Sequence, residues 1–458
     1  MKKIIPPFII LLACYISASA QTISFSLEDI LDNASQNSAD ITNAGLDVKA
    51  AELQKKEALW EYFPRVSATA IGFYSLNPLL EIGVTDILGK NDMAWEINNQ
   101  IESLGAMYGI STKYTALQNG YSTSLMFLQP IFAGGRIING NRLALVGLKA
   151  AEFQRSIKTK QNLLQIENIW WQISSLEDKL QMLAQLKGTL DTLTLTLNEA
   201  VNAGLASDNE RLQLEVKTAE LNARIKKAES GVRLLKMNLL NCAGIEYTLY
   251  KGLASDTRPQ LDSIILEMNT PIVLEPDHYW RDEEEIISGM NESKLLELQV
   301  EAKTLEKKMT IGEALPQIAI GASSGYSDLF HKGRFNTIAF ATIQIPISDW
   351  GKISQKAQRM QTQIDKAENE RLFLTKQLHL RIGQLWLELV SAYDQLQISI
   401  KSKETAEKYY NRALSNYNAG LISIKDLLEA QASVSNAANS HFEAMVNYHN
   451  AVIEYNSL

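Results

Sequence analysis

The sequence predicts a mostly α chain with a membrane β-barrel segment, built as a duplicated unit of long coiled-coil helices and a strand pair. Three observations predict it. The chain repeats itself internally, apolar residues recur at 3,4 spacing within an uninterrupted stretch of about 68 residues and within its repeat, and short alternating segments precede both.

A shift of 216 residues carries Pro130 onto Pro346, Gly135 onto Gly351, Ile137 onto Ile353, Ile166 onto Ile382 and Trp170 onto Trp386. It also carries Asn202-Ala203-Gly204-Leu205 onto Asn418-Ala419-Gly420-Leu421 without a gap. Upstream, a shift of 252 superposes Val48, Leu53, Lys55-Lys56, Pro64 and Tyr74-Ser75 on Val300, Leu305, Lys307-Lys308, Pro316 and Tyr326-Ser327. The shifts differ by 36 residues, so an insertion of that size lies between Ser75 and Tyr121 of the first copy. The expected organisation is a signal peptide at 1–20, a first copy at 21–244, a connector at 245–285 containing Pro259, Pro271 and Pro276, and a second copy at 286–458.

At the amino terminus, Lys2 and Lys3 precede an apolar run from Ile4 to Ile16, and Ala18-Ser19-Ala20 follow. A basic start, a short apolar core and small residues before a cut describe a secretory signal peptide, too short to span a membrane. The preferred cut follows Ala20. Leu11-Leu12-Ala13-Cys14 also fits a lipoprotein cleavage box, which is the alternative. Removing the segment leaves Cys242 as the lone cysteine, without an intrachain disulfide partner.

Each copy reads helix, strand pair, long helix, turn, helix. Ile166, Ile169, Ile173, Leu176, Leu180 and Leu183 form one apolar seam, and Ile382, Leu385, Leu389, Ala392 and Leu396 repeat it. From Arg136 to Ala203 neither proline nor a turn cluster intervenes, which allows a helix about 100 Å long at 1.5 Å per residue. Ser207-Asp208 and Ser423 suit starts of the return helices, and Gly204 and Gly420 suit ends of the long ones. For the strands, Ile318, Ile320, Ala322, Ser324 and Tyr326 alternate with smaller or more polar residues, as do Tyr121, Thr123, Leu125 and Phe127. One apolar and one small or polar face suit a wall between lipid and a wet lumen. Val66 to Tyr74 and Asn336 to Ile347 are weaker strand candidates. Strands of a water-exposed sheet are the competing reading.

Charge narrows the function. The whole chain carries −8, and loss of Lys2 and Lys3 makes it −10, which disfavours nucleic-acid binding. Beyond the amino terminus no apolar stretch reaches about 18 residues, so residence in a membrane requires a closed barrel. Gly321-Ala322-Ser323-Ser324-Gly325 matches a nucleophile-elbow string, yet strand alternation runs through it where a strand-to-helix turn is needed. His278, His331, His379, His441 and His449 form no spaced metal-binding set. Neither catalysis nor a cofactor is expected. Trp170 and Trp386 read as packing residues, Asp282 to Glu285 as a solvated helix start, and Tyr74, Tyr121, Tyr326 and Phe335 as an aromatic girdle, with core packing as the competing reading.

The chain resembles the TolC-type outer-membrane efflux protein family over nearly its whole mature length. The resemblance rests on the duplicated halves and on Leu315-Pro316-Gln317-Ile318. It rests also on Gln129-Pro130-Ile131-Phe132 with Gly134-Gly135-Arg136, on Pro346-Ile347 with Gly351-Lys352, and on Asn418-Ala419-Gly420-Leu421 before Asp426-Leu427-Leu428-Glu429-Ala430-Gln431. One departure is that Asn37-Ser38 stands where the family commonly has Asn-Pro. The resemblance implies a homotrimer closing one 12-stranded barrel in outer-membrane lipid above an α-helical tunnel through the periplasm. It implies a periplasmic adaptor (membrane fusion) protein and an inner-membrane transporter of RND, ABC or MFS type as partners. The duct would serve efflux or type I secretion.

The family's gate lies at the periplasmic helix turns. Glu210 and Asp426 each follow their turn glycine by six residues, and Tyr417 precedes Gly420 by three. The resemblance implies that Tyr417 bonds Glu210 across neighbouring helix pairs. Asp426 and Glu429 share a helix face and, in a trimer, form carboxylate rings that attract cations. The family often has Arg two residues after the turn glycine, where this chain has Ile422. The alternative role for these acids is to meet the dipole at a helix start. The rival for the whole molecule is an exported coiled-coil scaffold or adaptor, which the two strand pairs argue against. Residues from about Leu76 to Gly120 are expected to form an enlarged loop at the cell surface.

Overall fold

The computed structural model describes residues 23–77, 79–116, 119–249, 258–268, 272–328 and 333–458. The expected signal peptide with Cys14 lies outside them, as do Pro271 and His331. The elements before the first long helix are β1 (Ile23–Phe25), α1 (Leu27–Asn37), α2 (Ala39–Trp60), β2 (Arg65–Tyr74), β3 (Leu80–Ile82), α3 (Val84–Leu88), α4 (Asp92–Tyr108), β4 (Tyr114–Ala116) and β5 (Asn119–Ala133). They are followed by α5 (Arg136–Asn202), α6 (Asp208–Cys242) and β6 (Ile264–Leu266). The remainder is α7 (Glu283–Gly289), α8 (Asn291–Gly312), β7 (Gln317–Asp328), β8 (Arg334–Gln344), α9 (Trp350–Asn418) and α10 (Ile424–Asn456).

Two compact units result. One holds residues 49–150 and 296–371, and the other holds the described residues up to 48 with 151–295 and 372–458. Each unit takes segments from both expected copies, so the units, not the copies, interleave along the chain.

The first unit contains an antiparallel sheet in the order β2-β5-β7-β8. Opposite residues of such a pair share a face. Val66, Phe127, Ala322 and Ala339 therefore line one face together, as do Ala68, Leu125, Ser324 and Thr337. The other face carries Ser67, Met126, Ser323 and Ile338, then Thr69, Ser124, Gly325 and Asn336. The two alternating sets expected from the sequence thus fall on a single face. Gly321-Ala322-Ser323-Ser324-Gly325 runs straight through β7, with Phe340 paired against Gly321.

Pro130 lies in β5, a strand with neighbours on both sides. It is accommodated because the β2 pairing ends at Leu128 and the β7 register shifts between Pro130 and Phe132. A bulge there absorbs the residue that lacks an N–H. The insertion between β2 and β5, expected as an enlarged loop, has secondary structure of its own. It holds α3, α4 and a two-stranded β3-β4 ribbon.

The second unit is helical, with a parallel β1-β6 pair that the sequence reading missed. Its seams are as expected: Ile166, Ile169, Ile173 and Leu183 are buried on α5, and Ile382, Leu385, Leu389, Ala392 and Leu396 on α9. Trp170 is buried among Ile30, Ile166 and Leu240, and Trp386 packs on Tyr455 with ring centroids 5.3 Å apart. The bend between α1 and α2 falls at Ser38, with φ −60° and ψ 131°. That between α7 and α8 falls at Met290, with φ −65° and ψ 131°, which is 252 residues later.

Candidate functional site

Two regions hold the candidate working residues. In the helical unit they lie at the turns α5–α6 and α9–α10, which are built alike. Gly204 has φ 73° and Gly420 φ 71°, a left-handed conformation that glycine adopts without steric cost. Leu205 N–H donates to Ala200 O and Leu421 N–H to Asn416 O, each at 2.8 Å, closing the long helices. Leu205 and Leu421 are left exposed at the two turns. The return helices then start on matching capping boxes. Ser207 Oγ accepts from Glu210 N–H at 3.3 Å, while the Glu210 carboxylate accepts from Ser207 N–H at 2.9 Å. Ser423 Oγ accepts from Asp426 N–H at 3.3 Å, and Asp426 Oδ2 accepts from Ser423 N–H at 3.1 Å and Oγ at 2.8 Å. The Ser423 hydroxyl and N–H hold the exposed Asp426 carboxyl below its ordinary value.

The helix-start role therefore belongs to both Glu210 and Asp426. Glu429 lies one turn beyond Asp426, and both side chains are exposed while Leu427, Leu428 and Ala430 between and beside them are buried. Tyr417 is half-buried against a core that joins Leu197, Leu214, Ala413 and Ile424 from all four long helices. Burial raises its hydroxyl pKa, and the nearby negative charge of Glu210 raises it further. No direct hydrogen bond joins the two; the Glu210 carboxylate is engaged by Ser207. Ile422 packs on the same core, which explains an apolar residue at a position where the family often has Arg.

In the other unit, the four aromatics expected to form a girdle come together. Tyr326 pairs with Phe335, and the Tyr121 ring lies 5.9 Å from that of Tyr326. Tyr74 occupies the same end of the sheet in register with Asn119, and all four side chains are exposed. A second aromatic group went unnoticed in the sequence. Trp60 and Phe63, 5.2 Å apart, stand at the turn into β2, and Trp350 at the start of α9 donates its indole N–H to Ala314 O at 3.0 Å. Their signal was a cluster of large aromatics just outside the strands, which periodicity does not register.

The turn from β5 into α5 explains the Gly134-Gly135 pair. Both residues have positive φ, 63° and 76°. A Cβ on Gly134 would lie 2.1 Å from Gly312 O, and one on Gly312 would lie 2.4 Å from Gly134 O. The corresponding turn before α9 has a different construction: Gly351 is helical, with open space where a Cβ would be.

Residues 296–456 match the family model for outer membrane efflux proteins. No curated protein matches the sequence. Among solved structures, the chain is similar to the outer membrane protein VceC from Vibrio cholerae, with 14% identity over 94% of each chain and a TM-score of 0.69. It is similar to the Campylobacter jejuni CmeC outer membrane channel, with 15% identity over 94% of this chain and 84% of that one and a TM-score of 0.71. The outer-membrane channel OprN matches with 12% identity over 94% of this chain and 89% of that one, at a TM-score of 0.70. These likenesses establish the fold.

Proposed function

The chain carries an outer membrane efflux protein domain over residues 296–456 and has the fold of TolC-family outer-membrane channels, and we propose on that basis that it is a passive exit duct in the outer membrane. The observation that carries the reading is the four-stranded sheet. Its face with Val66, Leu125, Phe127, Ile320, Tyr326 and Phe335 exposes large apolar side chains, while among the described residues nothing pairs with the outer edges of β2 and β8. An open edge in lipid leaves backbone groups unpaired at several kcal/mol each. Three copies supply twelve strands and close the edges by symmetry. The apolar face then meets lipid, and the face with Ser67, Ser124, Ser323 and Asn336 lines the lumen.

The helices α5 and α9, of 67 and 69 residues, extend into the periplasm in this reading. Their turns, with exposed Leu205 and Leu421, meet a periplasmic adaptor that links the duct to an inner-membrane transporter of RND, ABC or MFS type. The cargo is small molecules or proteins. Tyr417, Glu210, Asp426 and Glu429 act as the gate, with carboxylates from three copies around the passage. The matched bends at Ser38 and Met290 and the matched capping boxes support an origin by duplication. An exported scaffold uses long helices equally well but has no use for an apolar exposed sheet face.

The test is extraction from membranes in detergent, mass measurement, and reconstitution into planar bilayers. A trimer that conducts ions is the expected result. A stable, water-soluble monomer would overturn the reading.

A further inference from the structure

The inserted helix α4 carries an apolar stripe that its own chain leaves bare. The helix is well terminated: Asn91 Oδ1 accepts from Ala94 N–H at 2.7 Å, and Gly109 ends it at φ 63° while Ile110 N–H donates to Gly105 O at 2.8 Å. One face is covered locally. Ala94 and Gly105 are buried, and a Cβ on Gly105 would sit 2.3 Å from Thr112 Cγ2. Beside that face run Met93, Leu104, Met107 and Tyr108, which are 56–75% exposed, with Ile97 and Ile101 at its margin. Met93, Ile97, Gln100, Leu104 and Met107 alternate at four- and three-residue spacing, the pattern of a coiled-coil seam with one polar position.

Two features decide what covers the stripe. The first is charge. Helices that lie in a membrane interface display Lys and Arg on their polar face. Within α4 there are Asp92, Glu96 and Glu102 and neither Lys nor Arg, so an anionic lipid surface repels it. The second is where the insertion is attached. It leaves the sheet at Tyr74 of β2, the edge strand that requires another copy of this chain beside it, and returns at Asn119 of β5. Each copy in a closed barrel therefore brings an identical stripe to the same end of the barrel. Cyclic symmetry sets equivalent residues at equal distances from one axis, which allows three stripes to bury one another.

We propose that α4 from three copies of this chain packs into a three-helix cap over the barrel mouth, with Met93, Ile97, Leu104 and Met107 facing inward. The inference rests on the trimeric channel reading. The cap places a closable apolar constriction at the end of the barrel opposite the strand-to-helix turns, and it restricts entry of solutes from that side.

The experiment uses the full-length trimer with Cys242→Ser, carrying either Leu104→Cys in the stripe or Asn99→Cys on the polar side of α4. A disulfide needs Cα atoms within about 4.4–6.8 Å. Oxidation of the Leu104→Cys trimer is expected to give disulfide-linked dimers on denaturing non-reducing gels and to lower single-channel conductance, with both effects reversed by reductant. Asn99→Cys is expected to give neither. Equal linkage of the two variants overturns the proposal, because it means random collision. So does an intact trimer in which Leu104→Cys stays unlinked. A dye on that cysteine, quenched by brominated lipid, would then assign the stripe to the membrane. A monomeric parent protein, by contrast, sinks the channel reading and the cap with it.

Discussion

Asp426 carries two roles in one side chain, and they can be separated. Its Oδ2 closes the capping box with Ser423, while its charge, with that of Glu429 one turn on, faces solvent. In the proposed trimer these two positions would bring six carboxylates around the passage, where a narrow bore would screen less than open water. Asn at 426 keeps an oxygen acceptor for Ser423 N–H, so Asp426→Asn with Glu429→Gln removes the charge and leaves the helix start. Cation preference in planar bilayers is expected to fall roughly twofold or more. A pure helix-start role predicts unchanged selectivity. Because Ser423 holds the Asp426 carboxyl below the usual carboxylate range, the Asp426 share of this effect persists at acidity that already neutralises an ordinary aspartate, and is lost only below that. In the same recordings Tyr417→Phe raises basal conductance if its hydroxyl helps to hold the tip closed. The positions were legible from spacing after Gly204 and Gly420. That Glu210 is engaged by Ser207 was not, since Ser-x-x-Glu reads equally as a cap or as a free acid until the backbone is seen.

At the scale of elements, the sequence spoke most clearly where one period runs long. The seams of α5 and α9 and the capped returns after Ser207 and Ser423 lie where apolar spacing and turn residues put them. The three-residue strands β1, β6, β3 and β4 were missed because two or three residues carry no period at all. The insertion was visible as a difference of two shifts, but its helix was not, since Ala94, Trp95 and Ile101 lie off the stripe of Met93, Ile97, Leu104 and Met107 and blur its period. The Gly134-Gly135 turn has a cause that only contacts reveal: the α8 backbone at Gly312 passes directly against it. Gly134→Ala forces a side chain into a left-handed conformation, costing about 1–3 kcal/mol, and adds a clash with a carbonyl. It is expected to lower the temperature at which the detergent-extracted trimer dissociates. Gly351→Ala, in open helical space, is expected to leave that temperature unchanged.

For the whole molecule, the decisive question is which side of the membrane each end of the sheet faces. The apolar face of β7 and β8 has aromatics at one end, Tyr326 and Phe335, and ends at Ile318 and Ile343, eight residues along each strand. At about 3.3 Å per residue that band is about 26 Å along the strand, at the short end of the roughly 9–11 residues with which a tilted barrel strand crosses a bilayer. The strands enter from Trp60 and Phe63 at one end and pass into α5 and α9 at that same end, so all four strand-to-helix junctions share one end of the sheet. If the long helices occupy the periplasm, the Tyr74–Asn119 insertion must lie outside the cell. An epitope inserted at Gly89-Lys90, in the exposed turn before the α4 cap, leaves both the sheet register and the stripe of α4 undisturbed. Antibody is expected to label intact cells expressing this protein as strongly as cells with ruptured outer membranes. Labelling only after rupture reverses the orientation. It would turn the insertion toward the periplasm and require the helices with Tyr417 and Asp426 to project from the cell surface, where no inner-membrane transporter reaches.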